Sequence, residues 1–309
     1  MSAPLVSIII PNYNHAAFLE QRIASVLNQS YQGFEVILLD DCSTDDSIKV
    51  LESYKSHPKV AQVVLNTQNS GSPFKQWQKG IALAKGDYIW IAESDDYCQL
   101  NFLEEILAAF HKNSNLGIVY AQSSDVDENG KKIAHRSEYT KEFQPNIWRK
   151  NFSMNGRDFI KSYLSYKNVI PNASAVVFKK NAIKKNTFSR QMLQMKMCGD
   201  WLFWVLLCLQ TDIGFIAEDL NFFRNHAAVS RNHNDRIKKK QRLLEEKIIR
   251  EALDVNQLNN IKHTNKLYRK WFKLHNKRML LSRSFYSIKL KKTTIFSFLF
   301  QVKSHFKIL

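Results

Sequence analysis

The chain has 309 residues, 44% of them hydrophobic, and a net charge of +17, which suits one large domain or a domain with an appendage around a sizeable core. No apolar run approaches the roughly 20 residues of a transmembrane helix; the longest, Trp201 to Leu209, abuts Asp200, and the first, Leu5 to Ile10, has no basic segment before it and is broken by Pro11, so neither a membrane span nor a signal peptide is expected. The cysteines Cys42, Cys98, Cys198 and Cys208 have neither metal nor redox spacing and read as reduced thiols of a cytosolic protein.

Leu5 to Pro11 is a β-branched run closed by proline and reads as a buried strand. A helix over Ala16 to Gln29 follows, with Leu19, Ile23, Val26 and Leu27 at helical spacing. Phe34 to Asp41 is a second strand ending in acids, after which Ser43 and Asp46 form a candidate capping box for a helix carrying Ile48, Leu51 and Tyr54. A strand over Val60 to Asn66, a helix over Pro73 to Lys85, a strand over Gly86 to Asp96, a helix over Asn101 to His111 and a strand over Gly117 to Ala121 continue the alternation. This rhythm predicts an α/β fold: a mainly parallel, mixed sheet with helices on both faces. Ligands of such sheets bind outside the carboxyl ends of the strands, where Pro11–Tyr13, Asp40–Asp41 and Asp95–Asp96 all lie. The last pair is notable because adjacent carboxylates repel unless a cation sits between them and a partner.

Beyond Gln122 the pattern loosens. Ala173 to Lys180 reads as a strand and Gly199 to Leu209 as a helix opened by an acid. After Asn232 the chain becomes helical, with one apolar stripe at Leu244, Ile248 and Ala252 and another at Leu267, Trp271 and Leu274. Of the net charge, +13 falls in Lys262–Leu309, which has 13 Lys or Arg and no acid, leaving +4 for the rest. An anionic surface is the expected partner of that tail, either membrane lipid or nucleic acid.

Four stretches, Val6 to Tyr31, Glu35 to Ser47, Asn69 to Asp96 and Cys198 to Trp204, together resemble family 2 glycosyltransferases of the GT-A, Rossmann-like fold, over roughly Pro4 to His233. The resemblance implies a catalytic domain over 1–233, with nucleotide-sugar binding in about 1–121 and the acceptor and catalytic part in about 122–233, followed by a basic helical extension over 234–309. It implies an inverting enzyme that transfers a sugar from a nucleoside diphosphate, a UDP-sugar in expectation, to a glycan or lipid-linked acceptor in polysaccharide synthesis. Pro11 would then lie along the base, Tyr13 stack on it, and Asp41 accept from its N3–H, a task for an acceptor-only group. Cys42 stands where the family usually has glycine. Asp95 would touch the ribose or the metal's shell, and Asp96 would coordinate Mn²⁺ or Mg²⁺ bridged to the diphosphate. Lys75 is the candidate for the diphosphate, with Lys79 one turn on. His226 could meet metal or phosphate, with Arg224 and Arg231 as alternatives. Asp200 would be the general base, held by the apolar helix behind it; its other reading is a helix cap. Glu93 is read as facing solvent, and Trp77, Trp90, Trp201 and Trp204 as core.

Three other functions compete. A nucleic-acid binder lacks any helix-turn-helix, zinc or RNA-binding signature. A dinucleotide oxidoreductase would need G-x-G-x-x-G after the first strand. A non-catalytic sugar-nucleotide binder would not need the full acidic set. The tail is expected to hold the protein at the inner face of the cell membrane, each Lys or Arg contributing about 1 kcal/mol; the alternative is that it packs on the catalytic domain or a partner.

Overall fold

A computed structural model describes residues 5–226 and 235–307. The first part runs β1 (Val6–Asn12), α1 (Ala16–Leu27), β2 (Phe34–Asp40), α2 (Ser47–Ser53), β3 (Val60–Leu65), α3 (Pro73–Leu83) and β4 (Tyr88–Ile91). These strands pair in parallel in the order β3-β2-β1-β4. Alternate side chains explain why β1 and β2 are almost continuously apolar: Ile9, Ile37, Leu39 and Ile91 enter one core with Phe74, Trp77 and Ile81 of α3. Val6, Ile8, Ile10, Val36, Leu38 and Trp90 enter the other with Leu19, Ile23 and Val26 of α1. A sheet covered on both faces needs apolar residues at both parities.

The chain continues through β5 (Tyr97–Cys98), α4 (Phe102–Lys112), β6 (Leu116–Val126), β7 (Lys132–His135), β8 (Phe152–Met154), α5 (Gly156–Phe159), β9 (Val176–Lys179), α6 (Arg190–Leu193), α7 (Gly199–Cys208) and β10 (Asp212–Arg224). Here the parallel pattern ends. β9 inserts antiparallel between β4 and β6, β10 runs parallel to β6 with register shifts, and β5 and β8 join β10 antiparallel. The ten strands among the described residues thus form one mixed sheet, parallel through the first four strands and again between β6 and β10.

Two local expectations are corrected, and one is explained. The strand read over Gly86 to Asp96 stops at Ile91, so the acidic residues stand on the loop after it. Ser43 does not cap α2; its backbone N–H and hydroxyl both donate to Asp40, while Asp45 accepts from the N–H of Ser47. Cys42 takes a left-handed backbone, φ +64°, which explains why glycine would suit that position.

The C-terminal part contains α8 (Arg236–Val255), α9 (Ile261–Lys273), α10 (Arg283–Tyr286) and α11 (Ile295–Phe306). The boundary expected at residue 233 falls outside the described residues. α8 serves two cores: Ile249 and Leu253 pack into the main core with Trp201 and Trp204, while Leu243 joins a separate cluster with Leu267, Trp271, Phe272, Phe285 and Phe298. The aromatics of the tail are therefore divided. Trp271, Phe272 and Phe298 are buried, whereas Phe296 and Phe300 on the outer face of α11 are 81% and 74% exposed. Among the described residues no helix is long and apolar enough to cross a membrane.

Candidate active site

The carboxyl ends of β1 and β2 are stitched together. Asn12 Nδ2 donates to Asp40 at 2.8 Å, and Asn14, itself left-handed at φ +57°, accepts from the N–H of Thr44 at 2.7 Å. Pro11 is buried in this end of β1, while Tyr13 stands 46% exposed beside it, a free aromatic face at the sheet edge. Asp41 is buried and collects four donors: Asn66 Nδ2, the Ser70 N–H and Gln76 Nε2 on Oδ1, and the Ser70 hydroxyl on Oδ2, all at 2.7 to 2.8 Å. Oδ2 therefore retains acceptor capacity. Lys75 Nζ donates to the carbonyl of Ser70 and Lys79 Nζ to Asn66, so both ammonium groups border the shell of Asp41.

The loop after β4 holds the acidic pair, and the structure separates its members. Asp95 meets two histidines: His226 Nε2 lies 3.1 Å from its Oδ2, and one ligand atom each of His15, Asp95 and His226 lie within 4.8 Å of one another. His15 sits at the start of α1, its Nδ1 2.9 Å from Ser94 Oγ, and His226 follows β10. Burial lowers the His15 pKa from its ordinary value, keeping the ring neutral and its lone pair available. Burial by itself would raise Asp95, but the hydrogen bond with His226 and the two neighbouring imidazoles outweigh it and hold the carboxylate below its ordinary pKa. Asp96 points the other way. It is buried, accepts from the N–H of Arg224 at 2.9 Å and from Asn172 Nδ2 at 3.0 Å, and is pushed up to about 6 by burial and by the charge of Asp95. Arg224 is a strut within this loop: its Nε donates to the Asp95 carbonyl and its Nη1 to those of Asp127 and Glu128. Arg231 lies outside the described residues.

Glu93 does not face solvent as expected. Its carboxyl accepts from Trp77 Nε1 at 2.9 Å, and burial followed by the charge of Asp95 pushes its pKa up to about 8, so it is protonated at neutral pH. A neutral acid here avoids a third negative charge beside Asp95 and Asp96.

Asp200 occupies the first turn of α7. A Cβ on Gly199 would meet the Phe74 ring at 2.4 Å, so the residue before it must be glycine for α7 to approach α3 this closely. Asp200 accepts from Asn168 Nδ2 at 2.8 Å and from the N–H of Trp201 at 2.7 Å. Burial pushes its pKa up to about 6, assisted by the charge of Glu245. The segment Asn168–Asn172 touches Asp200 at one end and Asp96 at the other, which brings the two parts of the site within one short stretch of chain.

Of the site residues expected from sequence, Pro11, Tyr13, Asp41 and Lys75 thus gather at the β1–β2 end, Asp95 and His226 come together, Asp96 backs onto them, and Asp200 stands on the far side of Asn168–Asn172. His15, Asn168 and Asn172 were missed. His15 follows the nucleotide-end residues directly in "PNYNH" and could have been noticed; the two asparagines carry no local signal.

Acidic loops at the carboxyl ends of the first parallel strands lie at the edge where ligands of such sheets bind. The chain belongs to the family described as glycosyl transferase family 2, whose sequence profile matches residues 7–185. It is 35% identical to the chondroitin synthase of Escherichia coli over 133 residues, 43% of this chain and 19% of that protein. It is 41% identical to an uncharacterized glycosyltransferase of Haemophilus influenzae over 121 residues, 37% of this chain and 48% of that one. The chain therefore spans no more than about half the length of these relatives. Its fold is similar to that of S. aureus TarS 1-349 in complex with UDP-GlcNAc, with a TM-score of 0.62 at 18% identity, covering 97% of this chain and 80% of that one.

Proposed function

We propose that this chain is an inverting glycosyltransferase that moves a sugar from a UDP-sugar to a hydroxyl of a glycan or lipid-linked acceptor in cell-surface polysaccharide synthesis. The observation that carries the reading is the sorting of carboxylates along one site: a charged group among histidines at Asp95, and a group of raised pKa at Asp200. In this reading Tyr13 stacks on the base, Pro11 lies along it and Asp41 accepts its N3–H, supported by the remaining acceptor capacity of Asp41 Oδ2, which holds one hydrogen bond from Ser70, and by the exposure of Tyr13. Lys75 approaches the diphosphate.

The donor set His15, Asp95 and His226 fits a divalent cation, since a neutral imidazole and an ionised carboxylate are the forms that ligate. Two nitrogens favour a transition ion such as Mn²⁺ over Mg²⁺, which prefers oxygen. The cation, when bound, neutralises charge developing on the departing diphosphate. Asp96 was expected from the resemblance to ligate as well; its hydrogen bonds to Asn172 and the Arg224 N–H favour a supporting role that fixes the loop under Asp95. Asp200 takes the acceptor hydroxyl's proton as that oxygen forms its bond to the anomeric carbon. The bond from that carbon to the diphosphate oxygen breaks, and UDP leaves with the electron pair. A base titrating near 6 is ionised at neutral pH yet basic enough to accept.

The sequence-derived boundary after β10 is proposed to mark the end of the sheet, with α8 still packed on the catalytic part and the helices after it forming a cluster of their own. The outer face of α11 presents Ile295, Phe296, Leu299 and Phe300 to solvent with Lys291, Lys292 and Lys303 nearby in sequence. That combination fits an anionic membrane surface, where the aromatic groups enter the interface and the lysines meet head groups.

Calorimetry with UDP tests the donor reading, after a thermal-shift screen of nucleotide sugars with Mn²⁺ to choose the sugar. UDP should bind much more tightly with Mn²⁺ than with chelator. Equal affinity in both would remove the cation from the proposal.

A further inference from the structure

Glu245 of α8 is 2% exposed, although it lies in a helix of the basic C-terminal extension. Its carboxylate accepts from three consecutive backbone N–H groups: Lys196 on Oε1 at 3.0 Å, and Met197 and Cys198 on Oε2 at 2.9 and 2.8 Å. Gln241, one turn earlier, adds a donor to Oε1 at 3.1 Å. Successive N–H groups pointing into one concavity form an anion-binding nest, and here the anion is supplied by the chain itself. The nest ends two residues before Asp200.

One turn and a half further along α8, Arg250 grips the other side of the same feature. Its Nη1 donates to the carbonyl of Ser165, its Nη2 is paired with Glu246 at 2.8 Å, and its guanidinium lies over the ring of Trp201, 5.3 Å from the centroid. Ser165 lies three residues before Asn168, the donor to Asp200. A single helix of the extension thus anchors both the segment that carries Asp200 and the segment that orients its carboxylate.

We propose that Glu245 is a positioning residue for glycosyl transfer: by clamping residues 196–198 it fixes the Asp200 carboxylate against the acceptor, which makes α8 part of the active-site structure rather than of an appendage. The inference rests on the reading of Asp200 as the general base. A carboxylate is suited to the task because three inward-pointing donors need an acceptor-only group; an amide would turn its own N–H bonds against them. The charge of α8 reaches Asp200 as well. The groups that face Asp200 are Glu245 and Arg242 of α8, Cys198 just before it, and Tyr139 of the loop after β7. Burial raises the pKa of both the Cys198 thiol and the Tyr139 hydroxyl, leaving them neutral, so the charges acting on Asp200 are those of Glu245, which favours its proton, and Arg242, which disfavours it.

The test uses the full chain with Glu245→Gln, Arg242→Gln and Asp200→Asn. Two quantities are measured: turnover of the UDP-sugar chosen by thermal shift, read as UDP release, and the titration of the Asp200 carboxyl by ¹³C NMR, its resonance assigned by its loss in Asp200→Asn. Glu245→Gln should lower kcat about 10- to 100-fold with donor KM unchanged, the scale of a misplaced catalytic group, and should move the Asp200 titration to lower pH. Arg242→Gln, on a partly exposed side chain, should fold normally and move that titration to higher pH. Opposite displacements are a signature that simple loosening of the fold would not produce. If Glu245→Gln does not fold, the Arg242→Gln titration decides alone: an unmoved midpoint overturns the proposal. Unchanged kcat in a folded Glu245→Gln protein overturns it too. Normal turnover in Asp200→Asn instead defeats the general-base reading itself, whatever the other two variants do.

Discussion

Asp95 and Asp200 are both carboxylates on loops or first turns at the working edge of the molecule, yet their surroundings differ in kind. Asp95 has two imidazoles beside it, and they hold its pKa below the ordinary value against the effect of burial. Asp200 has one amide and one backbone N–H, with apolar Trp201 and Trp204 of α7 behind it, and burial prevails, lifting it to about 6. The same side chain is thereby kept charged at one end of the site and basic at the other. Environment, not residue type, assigns the roles.

The sharpest way to break this comparison is Asp200→Asn. Turnover should fall by about 10²–10⁴-fold with donor affinity nearly unchanged, since the amide keeps the size and removes the proton acceptor. Near-normal turnover would return Asp200 to the status of a helix cap. At the other end, Asp95→Ala should abolish the Mn²⁺-dependent gain in UDP affinity, a loss of at least about 10- to 100-fold, the scale on which even supporting residues of metal sites act. Asp96→Ala measured alongside sharpens the division of labour. A complete loss in Asp96→Ala with a small one in Asp95→Ala would make Asp96 the ligand and the histidine cluster incidental.

A third prediction carries the contrast into the extension, where Phe298 is buried and Phe296 and Phe300 are exposed. The full chain should co-sediment with anionic vesicles and be partly released in ~1 M salt, where the Debye length falls to about 3 Å. Phe296→Ser with Phe300→Ser should weaken partitioning about tenfold or more without changing Tm. Vesicle binding unaffected by these changes would leave charge alone as the basis of attachment, and absence of binding to any vesicle would remove the membrane reading.

The pH dependence is a milder test. Asp200 has a raised folded pKa, so its neutral form is the one folding favours; the associated stability is present below the unfolded carboxylate's pKa near 3.8 and is lost as pH rises through about 6. Asp200→Asn should therefore melt above the parent protein at pH 7.5 and close to it at pH 4. Over the same interval the parent's turnover should decline as pH falls below about 6, because the base becomes protonated. A flat stability difference would show that burial does not set the Asp200 pKa. The smallest expected effect is at Cys42, whose φ of +64° costs a non-glycine residue about 1–2 kcal/mol. Cys42→Gly relieves that strain but gains freedom in the unfolded chain, so a net rise in stability of less than about 1 kcal/mol is expected by thermal melting.

Local periodicity was enough to read β1 to β4 and the helices between them, because burial on both faces imposes a nearly continuous apolar run on the inner strands β1, β2 and β4, with a crossover helix after each strand. The same reading placed Pro11 and Asp41 at strand ends, since that follows from chain direction alone, whereas Asp95 stands on the loop past Ile91. Where β9 would go could not be read this way: Val176–Lys179 is apolar like any buried strand, and only competition for partners inserts it antiparallel between β4 and β6. Nor could the fate of Glu93, which looks like any acid on a loop until Trp77 donates to it, or of Glu245, which sits on a polar-looking helix turn yet meets three backbone groups about 47 to 49 residues away. Sequence records which side chains are apolar and in what order. Whether a carboxylate is charged, protonated or clamped depends on donors that arrive from distant segments, and those meet only in the folded chain.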